Sequence, residues 1–365
     1  MRRSILLVPC IALAWLMLFP GCRTRRELPE CVTVGGQEQH VQGLAVDSVR
    51  GCFYFSFTTR FVKTDFDGNI LASIDRIPGH LGAMTFNPAD GRVYASLEYK
   101  DDEIGQGIAR KLGIEAVSRD MAEFFVAVID VDKVDAIGMD GVDGDVMGLH
   151  RIDEACNDYL ATVEVDGDTL EHRFGCSGID GVTMAPLPGG DPDERYLYVA
   201  YGIYGDTTRV DNDHQVLLRY DVSQWESGAL DKYFVHTGNT TYGVQNLAYD
   251  SADGLMYMAV YRGDKSCYPN YRMYAVDMAC AAREGALEGV PYVDGPCSCL
   301  TLAASGIVDE KTGICGWDFK WGSMGMCPLG DGRCYFAENF KDSTGLQGCD
   351  ARLYVWPETN ETMNK

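Results

Sequence analysis

The feature that most limits how this chain can fold is a hairpin pattern that recurs five times. In each copy a short apolar run leads into a polar turn, and a second run rich in aromatic residues follows. Strand pairs that repeat about every 40 residues or more are typical of propeller blades rather than of a sandwich. The five copies are Gly43–Phe57, Leu81–Leu97, Gly181–Tyr201, Val244–Tyr261 and Ser323–Glu338.

Further apolar runs predict the outer strands of each blade. Third runs lie at Phe61–Asp65, Phe124–Asp130, Val216–Asp221, Tyr271–Asp277 and Arg352–Trp356. Candidate fourth strands lie at Ile70–Asp75, Val146–Ile152, Lys232–Thr237 and Cys299–Ala303. The last copy lacks a fourth strand, whereas a lone run, Glu30–Val34, precedes the first copy. Pairing these two ends would close the ring and leave no exposed strand edge.

The long segment between the second and third copies decides the number of blades. It is long enough to hold a sixth blade, and that alternative stays open. However, Glu103–Met121 has apolar residues at helical spacing, and the hairpin pattern at Tyr159–Phe174 has no partner hairpin. We therefore predict an all-β fold, a five-bladed β-propeller over residues 31–357, closed by the N-terminal strand and carrying a helical insertion in blade two.

The N-terminus has the pattern of an export signal. Two arginines precede an apolar run, Ile5–Phe19, that is too short for a typical membrane span. The stretch LFPGC resembles a bacterial lipobox, which implies a signal peptide over residues 1–21 and lipidation of Cys22; a plain signal peptide cut nearby is the alternative. A linker (22–30) and a polar tail (358–365) would flank the propeller. We expect an exported lipoprotein of the cell envelope, at the periplasmic or outer-membrane face.

The net charge of the chain limits the classes of ligand that it is expected to bind. With 54 acidic and 31 basic residues the net charge is −23, which argues against nucleic acid or an anionic membrane surface as a ligand. The acidic surface suits cation binding, and it equally suits solubility alone. We expect a monomer that meets the membrane only through its lipid anchor.

The cysteines predict disulfides. Twelve of the 14 cysteines follow Cys22, and an even number in an exported chain favours disulfides over metal ligation. Cys327 and Cys334 flank the turn of the fifth hairpin and are predicted to pair across it. Cys156 and Cys176 bracket the candidate hairpin at Tyr159–Phe174 and form the second predicted pair.

Polar residues at the starts of the inner strands predict a site at one face of the disc. In an up-and-down blade these starts lie on the same face as the loops that join second and third strands, so residues far apart in sequence converge there. His40 and His80 occupy equivalent places in the first two copies, and Lys320 precedes the fifth. Asp180 and Gln245 align with Gln42. Convergent polar groups in a concave region are the default hypothesis for a binding site.

The loops on the same face add further candidates. They supply Arg60, Glu98, Tyr201, Tyr204, Arg209, Asp211, Asp213, His214, Tyr261, Arg262 and Glu338. Alternate acids such as Asp211 and Asp213, together with Asp180, could hold a divalent cation, with calcium the first choice; a polar turn before a strand explains them equally well. His40, His80, His214 and Asp180 are the candidates for catalytic acid or base. The remaining polar and aromatic residues are candidates for binding substrate.

Several catalytic motifs are absent from the sequence. It contains no GxxxxGK[ST], HExxH or GxSxG pattern, and GCSG at Gly175 and WGSMG at Trp321 lack the second glycine in the right place. These absences leave no support for a phosphate-loop NTPase, a zincin or a serine hydrolase.

The hairpins, with their DG turns and LYVA or VYAS strands, resemble the NHL, YVTN and gluconolactonase-like (SMP-30) propellers. The strings HVQGLAVD, GHLGAMTFNPADGRVYASLEYKDD and GNTTYGVQNLAYD look like a group of bacterial secreted or lipoprotein propellers, a resemblance that implies export and fold but no activity. In gluconolactonase-like enzymes a Glu, an Asn and an Asp near inner-strand starts hold an axial divalent metal. Only Asp180 matches that set, and His40 stands where the Glu is expected.

Two functions are consistent with these patterns. One is an enzyme, a hydrolase or lyase, that acts on a carbohydrate or a related polar small molecule at the axial face. The other is a non-catalytic surface propeller that binds a glycan or a protein, with Tyr201, Tyr204 and Tyr261 as stacking platforms. Replacement of His80 would abolish turnover in the first case without weakening binding.

Overall fold

The computed structural model describes residues 27–141 and 146–356. The predicted signal peptide, the lipidation residue Cys22, part of the linker and the tail after 357 lie outside the described residues. The chain enters the described part through β1 (Cys31–Gln37). Blade one then consists of four antiparallel strands: β2 (Gly43–Asp47), β3 (Cys52–Ser56), β4 (Phe61–Asp65) and β5 (Ile70–Asp75).

Blade two carries the predicted helical insertion. Its elements in chain order are β6 (His80–Asn87), β7 (Arg92–Tyr99), helix α1 (Glu103–Leu112), a 3-10 turn (Arg119–Met121), β8 (Glu123–Asp130), β9 (Met139–Asp140) and β10 (Met147–Arg151). The sheet order is β6, β7, β8, β10, and β9 pairs in parallel with β5 of blade one. The helix begins where the side chain of Asp102 accepts a hydrogen bond from the amide of Gly105 (2.8 Å). It is shorter than the predicted Glu103–Met121.

Blade three is preceded by a helix and a separate hairpin. Its elements are α2 (Asp153–Leu160), β11 (Thr162–Val165), β12 (Asp168–Glu171), a 3-10 turn (Arg173–Gly175), β13 (Cys176–Ala185), β14 (Tyr196–Ile203), β15 (His214–Tyr220), a 3-10 turn (Trp225–Ser227) and β16 (Asp231–His236). Strands β13 to β16 form the blade, and β11 pairs with β12 alone. The hairpin without a partner hairpin is therefore an insertion and not a sixth blade.

Blade four has three full strands. Its elements and the segments that follow are β17 (Thr241–Asp250), β18 (Leu255–Tyr261), β19 (Met273–Asp277), β20 (Arg283–Gly285), β21 (Cys297–Cys299), β22 (Ile307–Val308) and β23 (Cys315–Gly316). The outer edge of β19 pairs with two short segments, through the bridges Met273–Trp317 and Val276–Leu302 and through backbone hydrogen bonds from the Asp277 amide to Thr301 (3.2 Å) and from the Ala303 amide to Ala275 (2.8 Å). The predicted fourth strand at Cys299–Ala303 is therefore confirmed in part: residues 301–303 pair with β19, whereas Cys299 belongs to β21, which pairs with β16 and extends blade three.

Blade five closes the ring. After a 3-10 turn (Gly322–Met324) it consists of β24 (Met326–Pro328), β25 (Arg333–Lys341) and β26 (Gln347–Val355), and β1 supplies its fourth strand. Cys31 of β1 lies opposite Arg352 of β26 in an antiparallel register. The closure predicted from the lone N-terminal strand is confirmed.

A repeated turn explains why the hairpins form where they do. In blades one, two and four the inner strand ends in Asp47, Asn87 and Asp250, and the side-chain oxygen of each accepts the amide hydrogen two residues on, at 2.9 to 3.1 Å. The residue four positions on is Gly in each case, with φ between +70° and +75°, and its amide donates to the carbonyl of the same Asp or Asn at 2.9 Å. Asp or Asn caps such turns well, and Gly adopts positive φ without strain.

The hydrophobic core is divided into five clusters, one between each pair of neighbouring blades. The cluster between blades one and two contains Tyr54 and Leu97, for example, and the cluster between blades five and one contains Val34 and Phe55. The other three fill the remaining gaps around the ring. Both faces of each blade are thus buried. This explains why the strands carry aromatic and aliphatic residues on both sides. None of the helices in the described part of the chain is long and apolar enough to cross a membrane.

Both predicted disulfides are wrong, because their four cysteines are unpaired. All twelve cysteines from Cys31 to Cys349 are free thiols. In the fifth hairpin Cys327 lies opposite Tyr335, and Cys334 lies opposite Pro328. This offset of one residue places the two thiols on opposite faces of the blade. Cys156 lies in α2 rather than at a hairpin end, and the Cys176 thiol donates instead to backbone carbonyls at 3.7 Å.

Candidate active site at the axial face

The inner strands surround a cavity of about 420 Å³ at the face where they begin. Eight of the predicted residues line it: His40, Gln42, His80, Glu98, Asp180, Tyr204, Gln245 and Tyr261. Lys100, Asp102, Ser177 and Tyr242 also line it. Five of the eight (His40, Gln42, His80, Asp180 and Gln245) come from the inner-strand starts and three from the loops on the same face, whereas Lys320, the candidate before the fifth inner strand, does not line this cavity.

Bulges in the inner strands aim two of these side chains at the axis. The register of β13 against β14 shifts between Ile179 and Val182, which leaves Asp180 unpaired in the ladder. The register of β17 against β18 shifts at Gln245 in the same way. A bulge re-aims a side chain and is common next to functional sites. Asp180 and Gln245 therefore have no paired residue in the neighbouring strand, and both line the cavity.

Glycines make room for the two buried carboxylates. A Cβ atom at Gly82 would overlap with Asp180 Oδ1 and Ser96 Oγ, and one at Gly178 would overlap with Glu98 Oε1. Gly178 also has a φ of +124°, which other residues rarely adopt. Glycine at these two positions is therefore required by the site itself.

Glu98 forms the fixed part of the site. Its Oε1 accepts a hydrogen bond from the Ile179 amide at 2.9 Å, and its Oε2 lies 2.9 Å from Lys100 Nζ and 3.5 Å from His80 Nδ1. Burial acts to raise the pKa of Glu98, but the charges of Lys100 and His80 outweigh it and hold the pKa below its usual value. Lys100 also donates to the Ser177 carbonyl at 3.0 Å. Glu98 and Lys100 are thus a buried ion pair.

Asp180 has a different environment from Glu98. It is 9% exposed, and burial raises the pKa of Asp180 to about 7, with the Glu98 charge adding to the effect and His80 and Lys100 opposing it. The pKa of Asp180 is therefore raised, whereas the pKa of Glu98 in the same cavity is lowered. Two such groups in one cavity are the usual arrangement of an acid and a base.

His80 is buried between these carboxylates. It is 8% exposed, and within the described part of the chain neither ring nitrogen has a hydrogen-bond partner of normal geometry. Burial acts to lower the pKa of His80, but Glu98 and Asp180 raise it overall. An unsatisfied buried imidazole costs free energy unless a ligand or water completes its hydrogen bonds.

The rim of the cavity is aromatic and polar. Tyr242 is 56% exposed, and its φ of +63° is strained for a residue with a side chain. Its ring meets that of Tyr261 edge to face at a centroid distance of 6.4 Å. Burial raises the pKa of Tyr261 to about 12, so its hydroxyl is a hydrogen-bond donor at neutral pH. On the opposite side, Gln42 Nε2 lies 2.9 Å from His40 Nε2.

The chain was compared with protein families, curated proteins and solved structures. No protein-family model matches the sequence, and no curated protein matches it. Among solved structures, a gluconolactonase from Xanthomonas campestris is 11% identical, with 89% of each chain covered and a TM-score of 0.37. A regucalcin from Agrobacterium tumefaciens, a calcium-binding protein, is 9% identical, with 88% of this chain and 92% of that chain covered and a TM-score of 0.35.

Tyr204 apart, the candidates from the blade-three loop do not line the cavity. Arg209 and Asp211 form a buried ion pair (2.7 Å), and Tyr292 also donates to Asp211 at 2.8 Å. Asp213 accepts from Lys265 at 2.5 Å. These residues hold the loop together, so the dense cluster in the sequence is structural.

Two more candidates from the third blade are structural as well. The Tyr201 hydroxyl donates to Asp158 at 2.9 Å inside the core. His214 packs beside His236 with a ring separation of 5.0 Å, and burial lowers the pKa of His214 to about 4.

The other candidates lie at different places on the disc. Arg60 pairs with Asp75 at 2.7 Å beside a second cavity, and Glu338 accepts from Arg352 at 3.2 Å on the outer strands of blade five. Arg262 and Lys320 line a smaller cleft that shares Tyr261 with the axial cavity. Arg60 and Glu338 therefore lie away from the axial cavity, whereas Arg262 and Lys320 lie next to it.

The residues present do not fit the divalent cation that the resemblance implies. The Lys100 ammonium lies against Glu98 and supplies positive charge there, and Arg209 and Lys265 neutralise Asp211 and Asp213. Among the residues that the structure describes, no three His, Cys, Asp or Glu side chains are arranged to hold a metal ion. The predicted metal set of Asp180, Asp211 and Asp213 is therefore not brought together, because only Asp180 lines the cavity.

Lys100 lines the cavity but was given no role from the sequence. It follows Glu98 by two positions at the end of β7, and residues two apart in a strand share a face. The pair Glu98 and Lys100 in the string LEYKDD is the signal that could have identified it.

Proposed function

We propose that this propeller is a hydrolase that acts on an ester or lactone bond of a carbohydrate-like molecule in the axial cavity. The observation that carries the proposal is the Asp180 carboxyl, buried at the cavity with a pKa of about 7 beside the unsatisfied His80 imidazole. A general base is most effective when its pKa lies near the working pH. The polar lining and the three tyrosines at the rim suit a molecule with hydroxyl groups and an apolar ring face.

The chemistry assigned to the site is base-assisted attack by water. Asp180 in its ionised form takes a proton from the water whose oxygen attacks the carbonyl carbon. The amide of Gln245 and the hydroxyl of Tyr261 line the same cavity and are the donors available to the developing oxyanion. The C–O bond then breaks, and the proton on Asp180 passes to the leaving alkoxide.

Glu98 distinguishes this reaction from glycoside hydrolysis. A glycosidase needs two carboxyl groups that are both free to face the scissile bond. Both oxygens of Glu98 are occupied, one by the Ile179 amide and the other by Lys100. Asp180 is thus the carboxyl assigned to proton transfer, and Glu98 with Lys100 positions His80 and the inner strands.

The test is a hydrolysis screen of purified protein against sugar lactones and acetylated sugars, with proton release recorded in a pH-stat. Asp180→Asn should lower the rate by roughly 10² to 10⁴-fold, the range for loss of a general base. The matched control is Asp250→Asn, since Asp250 is also buried but lies at the opposite end of its inner strand, where blade two has Asn87 in the equivalent turn. Equal activity in Asp180→Asn would contradict the mechanism.

The second candidate function is binding without turnover. It is favoured by the exposed, strained Tyr242, which presents a ring at the mouth of the cavity as a stacking platform. If sugars bind to the wild type and to Asp180→Asn equally and no substrate in the screen is hydrolysed, the propeller is a binding protein. Loss of binding in Tyr242→Ala would then locate the ligand.

We also propose export and lipid anchoring through Cys22, which the N-terminal sequence supports. Expression of the full chain in a bacterium, followed by fractionation, should recover it with membranes. Cys22→Ser should release it or leave the signal peptide attached. Equal membrane association of both forms, with the signal peptide removed from both, would argue against lipidation at Cys22.

A further inference from the structure

A second, smaller cleft of about 250 Å³ adjoins the axial cavity. Tyr261 lines both, so the two are neighbours around one side chain. The cleft lies between the loops of blades four and five, and its walls include three basic side chains, Arg262, Arg272 and Lys320.

The charge of this cleft is opposite to that of the chain. Asp318 is the acid that the arginines contact there: it pairs with Arg262 and lies 3.3 Å from Arg272 Nε. One carboxylate against three cations leaves a local positive excess in a protein whose net charge is −23. A basic cleft in an acidic protein concentrates anions at that point of the surface.

Unlike the two arginines, Lys320 does not pair with Asp318. Its ammonium lies 4.1 Å from the centre of the Trp321 ring, and within the described residues it makes no ion pair. The cation–π contact holds the ammonium beside the cleft, where it can still donate to a ligand. Arg262 and Arg272 are 46% and 39% exposed, so their guanidinium groups are also accessible.

The geometry points to an anion subsite: Arg262, Arg272 and Lys320 bind a carboxylate carried by the molecule that occupies the axial cavity. The substrate class is then an acidic sugar, a hexuronate whose ester is carried on a ring hydroxyl so that its carboxylate stays free, with the ring against Tyr261 and the carboxylate in the basic cleft. Arginine pairs with carboxylates in two parallel hydrogen bonds, which orients the ligand as well as holding it. This assignment rests on the proposed function for the location of the ligand but not for the occurrence of catalysis.

The experiment is calorimetric titration at low ionic strength with three hexuronates (glucuronate, galacturonate and mannuronate) and the matching neutral hexoses. At least one hexuronate should bind about tenfold more tightly than its hexose. Arg272→Gln and Lys320→Met should each weaken that hexuronate by roughly three- to tenfold and leave the hexose unchanged, as expected for partly exposed charge pairs. Arg272→Gln breaks an ion pair with Asp318 and could disturb folding. Lys320→Met breaks no ion pair among the described residues, so weaker binding in that variant would not have this cause.

The matched control is Arg333→Gln, a comparably exposed arginine paired with Asp331 in the turn of blade five and outside the cleft. It should not alter hexuronate binding. The subsite is overturned if every hexuronate binds no more tightly than its hexose, or if the cleft variants weaken sugar and uronate equally. Binding is measured without turnover, so a failure of the hydrolase proposal would appear separately, as intact binding without hydrolysis in the wild type.

Discussion

The position and the pKa of Asp180 both follow from local features of the inner strands. Its side chain leaves the sheet because β13 bulges at that point, and it fits because Gly82 has no Cβ. Burial then favours its protonated form. The same local features that destabilise the ionised carboxylate make it a base suited to neutral pH.

This environment predicts a pH-dependent stability difference between the wild type and Asp180→Asn. The folded-state pKa of about 7 lies above the unfolded value of about 4, so the native state binds the proton more tightly. The stability from neutral Asp180 is complete below pH 4 and is lost as the pH rises through 7. Asparagine cannot ionise, so Asp180→Asn should match the wild type near pH 4 and exceed it by up to about 4 kcal/mol at pH 8.

Urea unfolding at both pH values measures this difference. A constant difference between the two proteins at pH 4 and pH 8 would contradict a raised pKa at Asp180. The same titration should appear in the rate of hydrolysis, which rises with pH as Asp180 loses its proton.

Gly82→Ala tests the space that the site requires. The added methyl group would overlap with the Asp180 carboxyl and the Ser96 hydroxyl, so one of them must shift. We expect hydrolysis to fall by at least about tenfold, since small displacements of catalytic groups are costly. Gly35→Ala is the control, because a Cβ at Gly35 meets no atom within 4 Å. Full activity in Gly82→Ala would show that the position of Asp180 is unimportant.

At the scale of the elements, Asn246 joins the inner strands below the cavity. It is buried in β17, and its Nδ2 donates to the carbonyls of Gln42 at 3.1 Å and of Ser323 at 2.9 Å. One side chain therefore links blade four to the segments that enter blades one and five. Because Gln42 lines the cavity, this link also fixes part of the backbone next to the site.

Asn246→Ala should destabilise the fold by roughly 2 to 4 kcal/mol, because it leaves two buried carbonyls without donors. Asn69→Ala, which removes one exposed hydrogen bond to Asp65, should cost less than about 1 kcal/mol. Denaturant unfolding compares the two variants. Equal, small losses in both would mean that water replaces the Asn246 amide.

The closing strand β1 gives a second prediction at this scale. Val34 is 1% exposed and packs between blades five and one. Val34→Ala should cost about 2 kcal/mol of unfolding free energy, from lost burial and the cavity left behind. The exposed neighbour Thr33, which donates to Asp350 at 2.7 Å, is the control, and Thr33→Ala should cost well under half as much. No loss in Val34→Ala would show that the strand is not needed for closure.

At the scale of the whole molecule, the site is predicted to be independent of divalent metal. A cation bound to the native state at a hundredfold over its Kd would add about 2.7 kcal/mol and raise the Tm visibly. Because Lys100 already lies against Glu98, we expect no such shift when calcium, magnesium, manganese or zinc is added back after chelation. A clear shift with one of these ions would overturn this prediction and place a metal at the axis.

Much of the architecture could be predicted from the sequence for local reasons. The turns have Asp or Asn at the first position and Gly at the fifth, so the hairpins were identifiable without tertiary information. The repetition of these hairpins predicted the blades, and the spare run Glu30–Val34 predicted the closure. The alignment of His40, His80, Asp180 and Gln245 at inner-strand starts predicted the site, because the topology brings equivalent positions to one axis.

Tertiary contacts decided the rest. The sequence could not show that Arg209 and Lys265 neutralise the acids of the blade-three loop, because ion pairs depend on which loops meet. It could not show the one-residue offset that separates Cys327 from Cys334, since register is set by packing on both faces. What the sequence determined by itself was the repeated unit and the residues that face the axis. Which of those residues are free to act was decided only by their neighbours in the folded ring, because charge and burial are properties of three-dimensional contacts.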